Sequence, residues 1–306
     1  MEQQEIGKRI RELREAKAMS REEFCQGEMM LSARHLERIE KGEVCPTLDK
    51  LSFVAKRLTI PLVDLIDSQK KDLPKEYLIL KEKIFRSQGA HQNAERADEK
   101  ELWFDEIYEK FFDDLPAEEQ LTIELKQTSL DIQMSKDVGF AQGIIDEYIE
   151  DLKQKSLYKI NDFLTAQIYF FFVHQREYEQ AVFDNILQKT IDGISYSSDL
   201  ELLALESALT TAAGFYIQEK RYKELPVIYE ASEKIYERNF RTTLKPIWLL
   251  LEAKYLLFVE NNFETAENRY DEAAQLAKLQ GNIVVEKNIK MDKELDKKSI
   301  ELFNCQ

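Results

Sequence analysis

Arg34 and Arg38 stand four residues apart, flanked by Ala33 and His35, in the run Leu31-Ser32-Ala33-Arg34-His35-Leu36-Glu37-Arg38-Ile39-Glu40-Lys41-Gly42. On a helix a four-residue step returns to the same face, so both guanidinium groups project together. A guanidinium can pair with two acceptors of one guanine, so the chemistry on offer is hydrogen bonding to base edges rather than bond making. Ser32 is the expected N-cap and Gly42 the stop, with Leu36 and Ile39 turned inward. That leaves Ala33, Arg34, His35 and Arg38 outward near the N-terminal end, where a recognition helix meets the major groove of double-stranded DNA. Ser20, Arg21, Ser32 and Lys41 complete the expected DNA-binding set, with Arg21 and Lys41 placed for phosphates.

Such a helix must be held by others. Ile6, Ile10, Leu13 and Arg14 keep helical spacing in a first helix. Ser20-Arg21-Glu22-Glu23 has capping-box spacing and opens a short helix carrying Phe24 and Cys25. Further helices are expected over residues 48–58 and 62–66. Five short helices in residues 1–66, with Ile39-Glu40-Lys41-Gly42, Pro46 and Leu51, resemble a helix-turn-helix domain of the Cro/phage-repressor type. Met30 stands where that family usually has glycine, and residues 26–31 are one residue longer than usual, so the turn differs in shape. The other reading of residues 1–66 is a small protein-interaction domain in which Arg34 and Arg38 are solvated.

Residues 1–66 hold 12 basic and 12 acidic side chains, whereas the whole chain of 306 residues carries −15. The remainder therefore carries all the excess negative charge and is repelled by DNA, so binding is expected to depend on a correctly placed dimer. With 33% charged residues, 9 Gly and 6 Pro, the composition predicts an all-α protein. No long apolar run and no secretion signal stand out, which predicts a cytoplasmic protein without membrane contact. Cys25, Cys45 and Cys305 lack metal-ligand spacing, and His35, His91 and His174 are far apart in the sequence. No phosphate loop or nucleophile motif is present, so neither catalysis, a metal nor a cofactor is expected.

Residues 67–75 read as a linker ending near Pro74, followed by a body over residues 76–306. Three echoes, Arg176-Glu177-Tyr178-Glu179-Gln180-Ala181, Lys220-Arg221-Tyr222-Lys223-Glu224-Leu225 and Asn261-Asn262-Phe263-Glu264-Thr265-Ala266, place their aromatics 44 and 41 positions apart. That is a repeat of paired helices, and Phe263, Ala266, Tyr270 and Ala273 fall at the spacing of tetratricopeptide repeats. Such a solenoid has a concave wall suited to a short hydrophobic or aromatic peptide. Phe170, Phe171, His174, Ser207, Thr211, Trp248 and Lys254 are the candidates for it. A dimer scaffold without ligand is the other reading of the repeats.

The order of parts resembles the peptide-pheromone-sensing regulators of Gram-positive bacteria, the RRNPP group with Rgg and PlcR, and within it the ComR competence regulators. The resemblance rests on Met19-Ser20-Arg21-Glu22, Arg38-Ile39-Glu40-Lys41-Gly42-Glu43, Leu51-Ser52, Val54-Ala55-Lys56-Arg57-Leu58, and Tyr108-Glu109-Lys110-Phe111-Phe112-Asp113 before Leu115-Pro116. It implies a transcriptional activator that takes up a short imported peptide, dimerises and binds a palindromic promoter site. It further implies that Lys100, expected at the start of a helix over residues 101–112, meets the peptide carboxylate. Gln92 and Ala90 stand where relatives can carry a basic residue and a hydroxyl, which implies a different peptide. Glu118 and Glu119 are the candidate autoinhibitory contact for Arg34 and Arg38. Residues 283–303 are expected to form a dimer element or a solenoid cap. The alternative function is a ligand-independent repressor or an adaptor that holds a protein partner.

Overall fold

The computed structural model describes residues 2–25, 31–60, 62, 65, 73–87 and 94–304. The expectations placed on residues 26–30, on most of 62–66, on 67–72, and on Ala90, His91, Gln92 and Cys305 lie outside these. Among the described residues every regular element is helical, and the chain divides into two compact units, Met1–Pro74 and Lys75–Gln306.

In the first unit α1 (Glu2–Ala16), α2 (Arg21–Cys25), α3 (Ala33–Glu40) and α4 (Leu48–Leu58) surround Ile10, Phe24, Leu36, Ile39 and Val54, all fully buried. Burying each such side chain stabilises the unit by about 1.5–3 kcal/mol. Ser20 opens α2 with a reciprocal capping box: its hydroxyl accepts from the Glu23 amide at 3.1 Å and the Glu23 carboxylate accepts from the Ser20 amide at 2.8 Å. Arg57 on α4 donates to the carbonyl oxygens of Phe24 and Glu23, satisfying the end of α2. Gly7 lets α1 approach α3, since a Cβ there would lie 2.1 Å from the Ile39 carbonyl oxygen. Gly42 ends the α3 segment with φ at +69°, a conformation that disfavours other residues.

The second unit runs α5 (Lys75–Arg86), α6 (Ala94–Lys110), α7 (Ala117–Ser135), α8 (Gln142–Gln154), α9 (Ile160–Val173), α10 (Gln180–Asp192), α11 (Asp199–Gln218), α12 (Leu225–Asn239), α13 (Lys245–Phe258), α14 (Phe263–Leu279) and α15 (Ile283–Asn304). Ser198 and Glu201 cap α11 reciprocally, and a proline near the first turn starts α12 and α13. The repeat has a physical basis in its aromatics. Tyr178 packs edge-on against Phe215 of α11 at 5.1 Å, and Tyr222 stacks on Phe258 of α13 at 4.2 Å, so these two aromatics wedge against the next first helix, whereas Phe263 is exposed. Ala266, Ala273, Ala274 and Ala277 let α14 lie close to α13. By length and composition α11 could cross a membrane, but 67% of its apolar window is buried inside the unit, where it forms a central helix.

Candidate functional site

The first half of the site is the outer face of α3. The Ser32 hydroxyl accepts from the His35 amide at 3.3 Å, so the cap holds the end of the helix that carries the outward residues. Arg34 and Arg38 are exposed, and Ala33 and His35 are half-buried between them and the core. Lys50 donates to His35 Nε2 at 3.0 Å. Burial first, then the charges of Lys50 and Arg38, hold the His35 imidazole below its ordinary pKa, so the ring is neutral and adds no charge to the face. Arg38 has Glu43 at 3.5 Å, a weak exposed pairing that leaves the guanidinium mobile.

Arg21 and Lys41 are both engaged within the unit. Arg21 donates to Glu40 at 2.7 Å and Lys41 pairs with Glu37 at 2.7 Å. Arg14 also donates to Glu40, at 2.7 and 3.2 Å, and to the Met19 carbonyl oxygen at 2.6 Å. The Glu40 side chain is wholly buried, so the acidic residue of the Ile39-Glu40-Lys41-Gly42 run is the counter-ion that ties α3 to α1 and α2.

The second half is a groove of about 460 Å³ in the second unit, a size suited to a small ligand or several peptide side chains. One wall comes from Phe85, Lys100 and Lys126 on α5, α6 and α7; the floor from Gln167 and Phe171 on α9 and Leu203, Glu206, Ser207 and Thr211 on α11; the far side from Arg241, Leu244, Ile247 and the start of α15. Five basic residues line it, Arg86, Arg96, Lys100, Lys126 and Arg241, against two acidic ones, Glu206 and Asp292. In a chain of net charge −15, this is a local reversal of sign. Burial and the Arg96 charge push Lys100 down to about 8, and burial with the Lys100 charge pushes Lys126 down to about 7. Burial raises the Glu206 carboxyl to about 7, with Arg241 opposing the shift.

Lys100, Phe171, His174, Ser207 and Thr211 all line this groove. His174 is fixed there by the Gln218 side-chain oxygen at 3.0 Å and the Thr211 carbonyl oxygen at 3.2 Å. The hydroxyls of Ser207 and Thr211 donate to carbonyl oxygens one turn back and keep lone pairs for a ligand.

Four expectations need correcting. Phe170 is fully buried against Phe183 and belongs to the core. Trp248 lines a separate depression with Tyr229, Tyr236 and Arg241. Lys254 lies behind the wall, paired with Asp292 at 3.1 Å and Asp296 at 2.5 Å. Lys100 is not at a helix start, because α6 already begins at Ala94; its setting is one of neighbouring cations rather than of a helix N-terminus.

Glu118 is exposed, but Glu119 accepts from the Tyr77 hydroxyl at 2.5 Å and from Lys81 at 2.6 Å, within its own unit. The helix expected over 283–303 packs on α14: Asp296 accepts from Tyr270 at 2.5 Å, and Lys293 pairs with Asp271 at 2.6 Å. Lys126, Glu206 and Arg241 did not stand out in the sequence, since they lie on α7, on α11 and in the segment between α12 and α13, without a shared motif. Among the described residues no cluster of His, Cys, Asp or Glu could hold a metal ion.

The chain matches two family models, ComR tetratricopeptide over residues 74–293 and helix-turn-helix over residues 10–65. It matches no curated protein. Among solved structures, ComR from S. thermophilus in complex with DNA and its signalling peptide ComS is 31% identical, with a TM-score of 0.72, covering 95% of this chain and 99% of that one. ComR from Streptococcus vestibularis in complex with its cognate signalling peptide XIP is 30% identical, with a TM-score of 0.66 and coverage of 96% and 99%. ComR from Streptococcus suis is 30% identical, with a TM-score of 0.59 and coverage of 97% and 96%. With both units matched and nearly the whole length shared, the chain belongs to the ComR family.

Proposed function

We propose that this protein is a cytoplasmic, peptide-gated transcriptional regulator. A short imported signalling peptide binds in the groove of the second unit, two chains dimerise, and the paired α3 helices read a palindromic promoter site and activate transcription. The observation that carries the reading is a base-reading face and a ligand-sized basic groove on one chain of the ComR family. Arg34 and Arg38 contact base edges, Ser32, Ala33 and His35 complete the face, and Ser20, Arg21 and Lys41 lie along the phosphates. In the groove, Lys100 takes the peptide's terminal carboxylate, while Phe171, His174, Ser207 and Thr211 contact its body.

Two physical points support gating. The acidic body opposes DNA, so a single chain lacks the electrostatic attraction that holds many single-module binders. A dimer on a palindrome doubles the specific contacts without changing that charge ratio. To move the population from almost wholly inactive to almost wholly active, the peptide must favour the active form by about 5.5 kcal/mol.

The test is size-exclusion chromatography with light scattering on the full chain, with and without a pool of synthetic octapeptides. A doubled mass that appears only with peptide supports the reading; an unchanged mass with no retained peptide overturns it.

A further inference from the structure

Lys100 and Lys126 project from α6 and α7 into the same wall of the groove, and among the described residues neither has a carboxylate within ion-pair distance. The charges that bear on them are cationic. Lys126 lies over the Phe85 ring at 4.8 Å, and the charge that bears on it is that of Lys100; the charge that bears on Lys100 is that of Arg96. Of the two carboxylates that line the groove, Asp292 is paired with Lys254 at 3.1 Å, and Glu206 lies in the field of Arg241 of the same groove.

Two half-buried ammonium groups that share one wall of a groove without a carboxylate partner are costly unless an anion joins them. A terminal carboxylate carries one negative charge and can neutralise one of the two. A second anion is therefore wanted within a residue or two of the peptide's end. We propose that Lys126 and Lys100 form a two-anion subsite, and that the ligand is a peptide whose last or penultimate residue is acidic. The inference rests on the peptide-binding reading and adds the sequence class of the peptide. Lys100 serves the main-chain carboxylate and Lys126 the side-chain carboxylate, each through a charge-assisted hydrogen bond.

The experiment uses octapeptide pools with random upstream sequence. One pool ends in Asp or Glu, a second in uncharged residues, and each is made as the free acid and as the C-terminal amide. Peptides retained by the full chain near neutral pH are counted by mass spectrometry. The expected result is retention of acidic free-acid peptides at least about tenfold above uncharged free-acid peptides, a ratio worth about 1.4 kcal/mol. In Lys126→Met the ratio falls to about one, and in Lys126→Arg it is restored; a thermal melt of each variant confirms that the unit is folded.

Equal retention of acidic and uncharged endings overturns the two-anion subsite while leaving peptide binding in place. A preference that persists in folded Lys126→Met also overturns it. Retention of no peptide from any pool overturns the peptide-binding reading and this inference together.

Discussion

The Arg14 guanidinium donates to the Glu40 carboxylate at 2.7 Å inside the first unit, with both side chains almost wholly removed from solvent. The pair joins α1 to the last turn of α3, and Arg21 closes it from α2. The helix that presents Arg34 and Arg38 is thus oriented by a buried ion triad as well as by Leu36 and Ile39. Apolar packing tolerates a sliding helix, whereas a two-oxygen pairing with a guanidinium fixes its direction.

Replacing Glu40 with Ala leaves the Arg14 charge buried without its partner. The expected cost is about 3–5 kcal/mol of first-unit stability. Hydrogen exchange in the full chain checks this: amides of α1 and α3 lose protection while those of α9 and α11 keep theirs. Uniform protection in both units would show that the triad does not hold α3.

Arg34 and Arg38 are exposed and bear little on the fold, so their replacement is expected to lower DNA affinity and leave stability unchanged. Each substitution to Ala is expected to cost about 1–3 kcal/mol in affinity for the preferred duplex and to relax sequence preference at one position. Lys41→Ala, in contrast, lowers affinity evenly across sequences. Fluorescence anisotropy on matched and mismatched duplexes separates these outcomes.

Neighbouring phenylalanines on α9 have different duties. Phe170→Ala opens a cavity in the core and is expected to cost about 3–5 kcal/mol in stability. Phe171→Ala, at the groove surface, costs less stability and weakens peptide retention. Thermal melts beside peptide titrations read both effects, and the same ranking in both assays would remove Phe171 from the ligand site.

The groove lysines give a pH dependence with a definite sign. A bound carboxylate favours the ammonium form, so peptide affinity is highest below the Lys126 value of about 7 and falls as pH rises through it and then through about 8 at Lys100. Glu206 acts in the same direction on an anionic ligand, since it gains negative charge through about 7. On stability the groups oppose. The unfolded chain binds more protons at Lys126 between about 7 and 10.5, so that lysine adds stability as pH rises through this window. Glu206 stabilises the folded chain below about 4.5, and this contribution is lost as pH rises through about 7. Calorimetric titration of peptide between about pH 6 and pH 9 checks the binding arm, and Lys126→Met flattens both the binding and stability profiles.

How much was legible follows from where the signals lie. The caps at Ser20 and Ser32 are local, since side chain and target amide sit three residues apart, and the structure forms both bonds. The aromatic echoes at Tyr178 and Tyr222 are likewise visible as spacing and become contacts between successive helix pairs. Lys126, Glu206 and Arg241 meet in the groove only because α7, α11 and the segment after α12 converge, and no sequence interval encodes that. Phe170 and Phe171 could not be told apart because α9 is apolar on nearly every side, so periodicity does not mark its inner face. Lys100 reads as a helix start because its charged upstream neighbours carry no apolar rhythm, whereas α6 begins at Ala94.

The central claim is that peptide controls DNA reading, and selection from a random duplex library by the full chain, with and without the octapeptide pool, tests it most directly. The account predicts that a palindromic sequence is enriched only when peptide is present, with preference at one position of each half-site relaxed in Arg34→Ala and in Arg38→Ala. Enrichment of the same palindrome to the same extent without peptide would contradict it.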